Sequence, residues 1–444
     1  MATQTGYKAS ELGMIPQDWD VVELGKVIKS ITSGVSVNSI DEINKFPHGY
    51  HVLKTSCVAN GYFDSSYAKS ILPNEIFRAK NSVKKGNLIV SRMNTPLLVG
   101  ELGYTKKDEP KIFLPDRLWQ VEIKEDLANT QFLSFLLSYP LFAKVLKETA
   151  TGTSDSMKNI SKNNFSSLNI YLPPLSEQTA IATALSDTDA LISSLQTLIA
   201  KKKAIKLSAM QNLLSGKIRL PEFALRLDGS PKTTRQTELG CVPEDWAVVE
   251  LGDVGKTYGG LSGKNKSDFD RGDSFYVPFT NVMANLEVDK NQLGKVEVNE
   301  KQNAVLEGDL LFNGSSETPE EVCFASFVNF SLPNLFLNSF CFGFRLTKNT
   351  ISPKYLAYWF RSEIGRKTIA FMSQGSTRYN ISKSEFVKLK LVMPSKPEQT
   401  AIAQLLSDMD AEIESLEGRL KKTQSLKQGM MQALLTGKIR LPLE

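Results

Sequence analysis

Two sets of side chains in this sequence have the chemistry needed to contact nucleic acid bases. Arginine and lysine form paired hydrogen bonds with guanine, asparagine and glutamine do so with adenine, and serine and threonine bond to either bases or phosphates. Arg92 and Arg378 are the strongest candidates for base contacts, although a phosphate contact or a solvated loop position explains each of them equally well. The first set comprises Lys54, Thr55, Ser56, Ser91, Arg92, Asn94, Thr153, Ser154, Lys158, Asn159 and Lys162, and the second comprises Thr280, Asn281, Asn313, Ser315, Ser316, Ser376, Thr377, Arg378, Tyr379, Asn380 and Lys383.

Three short segments are similar to catalytic motifs, but each departs from the pattern that its chemistry needs. Leu172-Pro-Pro-Leu175 has leucine where an amino-methyltransferase motif has a polar residue and an aromatic one. Gly259-Gly-Leu-Ser-Gly-Lys264 follows a tyrosine and precedes an asparagine, which breaks the phosphate-loop pattern and favours a flexible, DNA-facing loop. Pro115-Asp116 with Glu122-Ile-Lys124 has the residue types of a nuclease signature, but the spacing is very short and the second half of the chain has no counterpart.

The composition is that of an ordinary folded protein. Of 444 residues, 41% are hydrophobic and 23% are charged, which disfavours intrinsic disorder, and the net charge of +5 permits a polyanionic partner without establishing one. No run approaches the roughly 18 apolar residues of a membrane span, and the first ten residues lack the apolar core of a signal peptide, so we expect a cytoplasmic protein.

Cysteine and histidine give no sign of a metal or catalytic site. The four scattered cysteines form no CxxC pair and are expected to be buried thiols, and the two histidines lack a recognisable nucleophile or carboxylate constellation. We therefore expect no catalytic residue, metal or cofactor in this chain. The residues are Cys57, Cys241, Cys323, Cys341, His48 and His51.

The elements that carry the candidate residues belong to an internal repeat. The segment from Glu11 to Gly25 recurs 227 residues later as Glu238 to Gly252, and the segment from Glu177 to Pro221 recurs without a gap 221 residues later. Both ends of a unit thus repeat at nearly the same offset, which indicates a tandem duplication with its boundary between about residues 217 and 238. The copies share a frame and differ in their loops, as expected if they recognise different things, although drift after duplication gives the same picture.

Each copy is predicted to be a mixed α/β globule. Short apolar runs bounded by Gly, Pro or Asn predict strands, and helical spacing predicts one helical stretch in each copy before a last strand. The Gly152-Thr-Ser and Gly375-Ser-Thr segments are expected to be loops. The predicted strands are 88–91, 168–172, 310–312 and 340–346, and the predicted helical stretches are 131–148 and 353–371.

A heptad pattern follows each globule. Heptad positions at alternating steps of four and three, mostly apolar, run from Ile181 to Lys202 and from Ile402 to Thr423, with prolines before each run and Gly216 or Gly437 after it. Two helices of nearly forty residues, roughly 55 to 60 Å long, are expected to pair as an antiparallel coiled coil, the alternative being that each packs on its own globule. Polar residues midway, at Lys202 and Lys206 and at their repeat equivalents Thr423 and Lys427, are expected to open the seam to partner subunits.

Taken together, these features resemble the specificity subunits of type I restriction-modification systems. The residues that carry the resemblance are Glu177-Gln-Thr-Ala-Ile with Leu213-Leu-Ser-Gly-Lys-Ile-Arg-Leu-Pro221, their copies Glu398-Gln-Thr-Ala-Ile and Leu434-Leu-Thr-Gly-Lys-Ile-Arg-Leu-Pro442, and the two Pro-x-Asp-Trp openings. The resemblance covers essentially the whole chain. It implies an α/β (α+β) fold with two mixed α/β target-recognition domains separated by two long antiparallel coiled-coil helices, related by a pseudo-twofold.

The resemblance also implies a function and partners. In that family each recognition domain reads one half of a split double-stranded DNA site, and the helices set the spacing and dock two methylation subunits, which bind S-adenosylmethionine and flip the target adenine. Motor and nuclease subunits then join. Glu177, Gln178, Glu398 and Gln399 are expected at the partner contact. A coiled-coil scaffold that binds only proteins and a stand-alone methyltransferase or nuclease are the alternatives.

Domain boundaries follow from the repeat together with this resemblance. The expected order is a first recognition domain, a spacer helix, a linker, a second recognition domain, a second spacer helix and a short tail. The corresponding ranges are 1–172, 173–216, 217–237, 238–393, 394–436 and 437–444.

Overall fold

The computed structural model describes residues 6–154, 157–373, 375 and 378–442 of the chain. It divides into two compact units, each made of one globule and parts of both long helices. The first unit contains residues 1–196 and 418–444, and the second contains residues 197–417. The first long helix, Leu175–Leu214, and the second long helix, Lys396–Leu434, therefore each contribute residues to both units.

The heptad positions form the contact between helical segments within each unit. In the second unit, Lys202 bonds to Glu412 and Lys206 to Asp410, so the residue numbers rise along one helix as they fall along the other. Leu185 and Leu406, at equivalent heptad positions, are completely buried. In the first unit Thr188 contacts Met430 and Asp189 pairs with Lys427, so the same opposite order holds there. The predicted antiparallel coiled-coil pairing is thus confirmed within both units.

The polar heptad positions do not leave the seam open. Lys202 and Lys206 form ion pairs with acidic residues of the facing segment in the second unit, and Thr423 is buried with its hydroxyl donating to the carbonyl of Arg419. The expectation of a seam opened for partner subunits is wrong for these residues, since long lysine side chains reach past the apolar stripe to the acids beside it.

The first turns of each long helix also pack on a globule. Ile181, Ala182 and Leu185 join the core of the first unit, and Ile402, Ala403 and Leu406 join that of the second. Packing on the globule, the alternative to pairing, is therefore found for the beginning of each helix, where the apolar stripe meets the last strand.

The globule of the first unit is built on one antiparallel sheet and one mixed sheet, in which Glu109–Phe113 and His51–Leu53 run parallel. A four-stranded sheet has the order Leu102–Tyr104, Leu88–Ser91, Leu118–Ile123 and Ile28–Ser33. A five-stranded sheet has the order Ser82–Val83, Glu109–Phe113, His51–Leu53, Ala68–Ile71 and Ser39–Ile40. Smaller sheets pair Asp20–Glu23 with Asn169–Leu172, Tyr7–Ser10 with Gly13–Pro16, Val58–Ala59 with Tyr62–Phe63, and Met157–Asn159 with both Met93–Asn94 and Thr151–Ser154. The helices are Thr130–Ser138, Pro140–Glu148 and Lys162–Ser166.

The globule of the second unit repeats this frame. Its four-stranded sheet has the order Gly255–Gly259, Cys341–Leu346, Leu310–Asn313 and Ala325–Phe327, and its three-stranded sheet has the order Gly294–Val296, Phe269–Val277 and Leu335–Leu337. Smaller sheets pair Ala247–Glu250 with Lys390–Met393, Thr234–Thr237 with Gly240–Pro243, and Ser315–Ser316 with Tyr379–Asn380. The helices are Pro221–Ala224, Leu251–Val254, Phe279–Ala284, Pro353–Arg361, Glu363–Met372 and Lys383–Val387.

Each predicted helical stretch consists of two helices. In the first unit the break lies at Tyr139, because Pro140 can begin a helix but cannot continue one. In the second unit Ser362 ends one helix and its hydroxyl accepts from the amide of Gly365, which caps the next. The breaks turn the chain so that both helices of each pair can pack against the same globule.

Two further expectations are corrected. The segment Thr151–Ser154, expected to be a loop, is a strand because it pairs with Met157–Asn159. Cys241 is exposed, whereas the other three cysteines are buried as expected. The side chains of a strand alternate between its two faces, and the adjacent Val242 takes the buried face of its hairpin.

Candidate nucleic-acid interface

The first basic face comprises Arg92, Arg117, Lys158 and Lys162. Arg92 precedes the strand Met93–Asn94, which pairs with Met157–Asn159 and so places Lys158 opposite Asn94. The Nε of Arg92 donates to the carbonyl of Asp116 at 2.8 Å, and its amide donates to the carbonyl of Arg117. Strand pairing and these two bonds bring Arg92, Arg117 and Lys158 together, and the Nζ of Lys162 donates to the carbonyl of Ile31 in the four-stranded sheet.

The second basic face comprises Ser315, Phe340, Arg378, Asn380 and Lys383. Ser315 pairs with Asn380 across a two-stranded ladder. The Nε of Arg378 donates to the hydroxyl of Ser315 at 3.1 Å, and its guanidinium lies 5.9 Å from the ring centroid of Phe340. A Cβ added at Gly259 would lie 3.3 Å from the Nζ of Lys383, so this lysine lies at the end of the first strand of the four-stranded sheet.

The two faces present an arginine beside corresponding turns. Arg92 bonds to the turn that leads into the strand Leu118–Ile123, and Arg378 stacks on Phe340, which leads into the strand Cys341–Leu346. Both strands occupy the same place in their four-stranded sheets. The first lies next to Leu88–Ser91, which precedes Arg92, and the second lies next to Leu310–Asn313, which precedes Ser315. The arginines nevertheless come from opposite partners of the small ladder, since Arg92 adjoins its first strand and Arg378 its second.

Several candidate residues are buried and hydrogen-bonded inside the globules. Asn281 and Asn313 are completely buried, and their amide groups bond to Asp289 and to Glu321 and Phe324, respectively. Reaching a base edge would leave these buried partners without hydrogen bonds. The geometry thus gives them a role in holding the loops. Ser91, Asn94 and Ser316 are also buried, with bonds between Ser91 and Asn94 and from Ser316 to Glu321.

The remaining candidates are partly or fully accessible. Lys54, with an ion pair to Asp41, precedes a short 3-10 helix that contains Thr55 and the exposed Ser56, and Thr280 is exposed on the helix Phe279–Ala284. Asn159 and Tyr379 are half-buried in their ladders. Ser376 and Thr377 lie outside the described residues. Thr153 and Ser154 lie in the strand Thr151–Ser154, and only their backbone is described.

Sequence reasoning missed two residues of the faces. Arg117 and Phe340 both lie in the turns that the arginines contact, and both are exposed. Arg117 directly follows Pro115-Asp116, whose turn chemistry was a usable signal. Phe340 had no such signal, because the sequence pattern placed it inside a predicted strand.

Glu177 and Gln178 are occupied within the chain. The Glu177 carboxylate is 1% exposed and accepts from the Nε1 of Trp19 at 2.9 Å and from the Nη2 of Arg440 at 2.7 Å. Arg440 also pairs with Asp18, whose pKa its hydrogen bond lowers. Gln178, fully buried, accepts from the amide of Asn129 and donates to the carbonyl of Pro173. These residues join the end of the second copy to the beginning of the first.

Glu398 and Gln399 make equivalent contacts in the second unit. Glu398 accepts from Arg219 and from the Nε1 of Trp246, and Arg219 also pairs with Asp245. Burial raises the pKa of Asp245, but hydrogen bonds from Arg219 and Lys232 outweigh it and bring the pKa to about 2. The repeated Pro-x-Asp-Trp, Glu-Gln and Gly-Lys-Ile-Arg motifs therefore form one buried joint in each unit, and the expected partner-contact residues face its interior.

The segments that are similar to catalytic motifs serve the fold. Glu122 pairs with Lys29, which lowers the pKa of the carboxyl, and Lys264 pairs with Glu300. The ring nitrogens of His48 and His51 accept backbone amides, and burial lowers the pKa of His51, which favours its neutral form. Among the described residues, no cluster of His, Cys, Asp and Glu could hold a metal ion, and no helix has the length and apolarity to cross a membrane.

The chain thus contains two globules built on the same frame, each followed by a long helix. A family model described as the type I restriction modification DNA specificity domain matches residues 16–204 and 243–424. The chain belongs to this family of type I restriction-modification specificity subunits, the DNA-targeting part of a multi-subunit complex, as the sequence predicted.

Individual relatives agree with this assignment. The type I restriction enzyme MjaVIII specificity subunit of Methanocaldococcus jannaschii is 25% identical over 96% of this chain and 94% of its own length. The S subunit of the type I restriction-modification system from M. genitalium shares the fold, with a TM-score of 0.55 at 14% identity over 94% of this chain and 96% of that chain. A chain from a study of complex assembly and conformational transition of the type I R-M system has a TM-score of 0.51 at 15% identity, over 96% of this chain and 99% of that chain.

Proposed function

We propose that each unit reads one half of a bipartite DNA site through its basic face. The single observation that carries this proposal is the pair of unlike faces on one frame. Arg92 with three lysine and arginine neighbours suits guanine and phosphate contacts, while Arg378 with Asn380, Ser315 and Phe340 offers guanine, adenine and thymine-methyl contacts. The two half-sites are therefore unlike in sequence.

The chain itself carries no catalytic step in this proposal. Two methylation subunits dock on the long helices and bring S-adenosylmethionine, and motor and nuclease subunits join through them, in the cytoplasm. Support comes from exposed apolar side chains on the helices, which leave surface for a partner. These are Leu191 and Leu426 in the first unit, and Leu198, Ile205 and Leu207 in the second.

A methyl-transfer assay tests this division of labour. Purified chain is incubated with labelled S-adenosylmethionine and DNA that carries the site, with and without the methylation subunit. We expect transfer only when both proteins are present. Transfer by this chain alone would show that it is a methyltransferase and would contradict the proposal.

Salt dependence separates DNA reading from a purely protein-binding scaffold. Binding of the assembled complex to DNA is measured at several salt concentrations, because each phosphate contact releases counterions and steepens the slope. The double variant Lys158→Ala with Lys162→Ala is expected to reduce the slope by roughly 1 to 2. An unchanged slope would exclude both lysines from the interface.

A further inference from the structure

Each unit contains a cluster of one aspartate, one lysine and one tyrosine outside its basic face. In the first unit the Nζ of Lys427 lies 2.8 Å from Asp189, and their side chains are only 12% and 11% exposed. The hydroxyl of Tyr62 donates to Asp189 at 2.6 Å and accepts from Lys427 at 2.6 Å. One point thus joins both helical segments to the globule.

The second unit has the same cluster. Lys206 pairs with Asp410, and the hydroxyl of Tyr358 donates to Asp410 at 2.8 Å, with the lysine 5.6 Å from the ring centroid. Asp410 and Lys206 are the repeat equivalents of Asp189 and Lys427, at the same offset of 221 residues. The aspartate and the lysine of each cluster therefore come from different copies.

The tyrosines come from different elements. Gln178 accepts from the amide of Asn129 and Gln399 from that of Ser352, so these two residues correspond, and the position six residues after each is Phe135 and Tyr358. Phe135 still contacts the lysine, with its ring centroid 5.3 Å from the Nζ of Lys427, but it has no hydroxyl.

In the first unit the missing hydroxyl comes from the hairpin that contains Tyr62. A tyrosine hydroxyl on the aspartate is thus present in both units, although it comes from a hairpin in one and from a helix in the other. The Asp189–Lys427 pair is largely buried and needs such additional hydrogen bonds to offset its desolvation, whereas the side chain of Asp410 is 41% exposed.

Each cluster is linked through the chain to a segment that contains candidate DNA-contacting residues. Tyr62 lies in the hairpin Val58–Ala59 with Tyr62–Phe63, which directly follows Lys54, Thr55 and Ser56. Tyr358 lies in the helix Pro353–Arg361, whose last residue donates to the carbonyls of Val282 and Asn285 and so holds the helix that contains Thr280.

We propose that Asp189, Lys427 and Tyr62 are positioning residues that fix the Lys54–Ser56 segment on the first helix pair, and that Asp410, Lys206 and Tyr358 fix the Thr280 segment on the second. The clusters themselves do not depend on the proposed function. Their effect on DNA rests on it.

Moving the hydroxyl within the first unit tests the proposal. Tyr62→Phe removes the hydroxyl, and Tyr62→Phe with Phe135→Tyr supplies it from the position used in the second unit. A cavity of about 140 Å³ lined by Tyr62, Phe135, Ser186 and Asp189 leaves room for it. Tyr67→Phe, at an exposed tyrosine a few residues away, is the matched control.

Amide hydrogen exchange of the full chain without DNA reports on the cluster directly. We expect exchange at residues 58–63 to accelerate roughly tenfold in Tyr62→Phe, to return to the wild-type rate in the double variant and to stay unchanged in Tyr67→Phe. Unchanged exchange in Tyr62→Phe, or acceleration that Phe135→Tyr does not reverse, would overturn the proposal.

DNA binding by the assembled complex gives the second readout. Tyr62→Phe is expected to lower affinity roughly fivefold for DNA with an intact first half-site and to leave discrimination at the second half-site unchanged, with Phe135→Tyr restoring binding. Equal losses at both half-sites would overturn the positioning of one segment. If the wild-type complex does not bind DNA, the proposed function fails, while the exchange result still decides the role of the cluster.

Discussion

The two units place an arginine at the same point of the frame by different routes. Arg92 adjoins the first strand of the small ladder in its unit, whereas Arg378 adjoins the second strand in the other. The tyrosine hydroxyl that donates to the helix aspartate likewise comes from a hairpin in one unit and from a helix in the other. The position of a functional group is thus common to both copies, while the residue that supplies it is not.

The buried joints are where the units are most alike, and breaking them should have the largest effect. Arg219→Ala leaves the carboxylate of Glu398 buried and without its partner, at a cost of about 3–5 kcal/mol in the free energy of unfolding. Arg440→Ala should cost less, because the Arg440 side chain is 37% exposed against 10% for Arg219 and water can replace part of its charge.

Urea unfolding followed by tryptophan fluorescence checks this order, since Trp19 and Trp246 lie in the two joints. Arg226→Ala, which removes an exposed ion pair with Glu244, is the control and should leave the free energy of unfolding nearly unchanged. A loss in Arg440→Ala that exceeds the loss in Arg219→Ala would show that burial does not govern the difference.

The arginines of the basic faces are where the units differ, and each should affect one half-site. Arg92→Ala is expected to relax discrimination at the first half-site by about 1–3 kcal/mol, and Arg378→Ala to do the same at the second. Selection of bound sequences from random DNA by the assembled complex measures both halves at once. Equal loss at both halves with either variant would refute independent reading.

Glycines at the joints should respond equally in both units. Gly216 and Gly437 have φ of +72° and +70°, and a Cβ on either would lie 2.5 Å from a proline, Pro243 or Pro16. Alanine at each position should cost about 1–3 kcal/mol, measured by thermal unfolding.

Two helix glycines provide a control of opposite sign. Gly418 and Gly429 lie inside the second long helix with nothing within 4 Å of an added Cβ, so alanine there should stabilise by about 0.5–1 kcal/mol. Destabilisation by these control changes would mean that the helix surface is covered.

Acid should act on the second joint by protonating Asp245. Because the pKa of Asp245 is about 2 in the folded chain and about 3.9 when unfolded, the unfolded state binds the proton first. The stabilisation is therefore present above pH 4 and is lost as pH falls from 4 towards 2. Asp245→Asn should flatten the dependence of the unfolding free energy on pH in that window, and an unchanged slope would argue against the ion pair.

Periodic features were predictable from sequence because they depend on local pattern. The strand Leu88–Ser91 and the antiparallel helix pair followed from apolar spacing. The joints were not predictable, since Glu177 meets Arg440 only after the chain closes on itself. Asn281 and Asn313 have the side chains that read adenine, but the carbonyls and amides that occupy them become visible only in the fold.

Mapping methylated adenines across a genome that expresses this chain with its methylation subunit tests the central claim most directly. We expect one bipartite motif with two unlike halves at a fixed separation of around one helical turn. When Arg378→Ala replaces the wild type, we expect the second half of the motif alone to become degenerate. A continuous motif, two identical halves, or simultaneous degeneracy of both halves in the variant would contradict it.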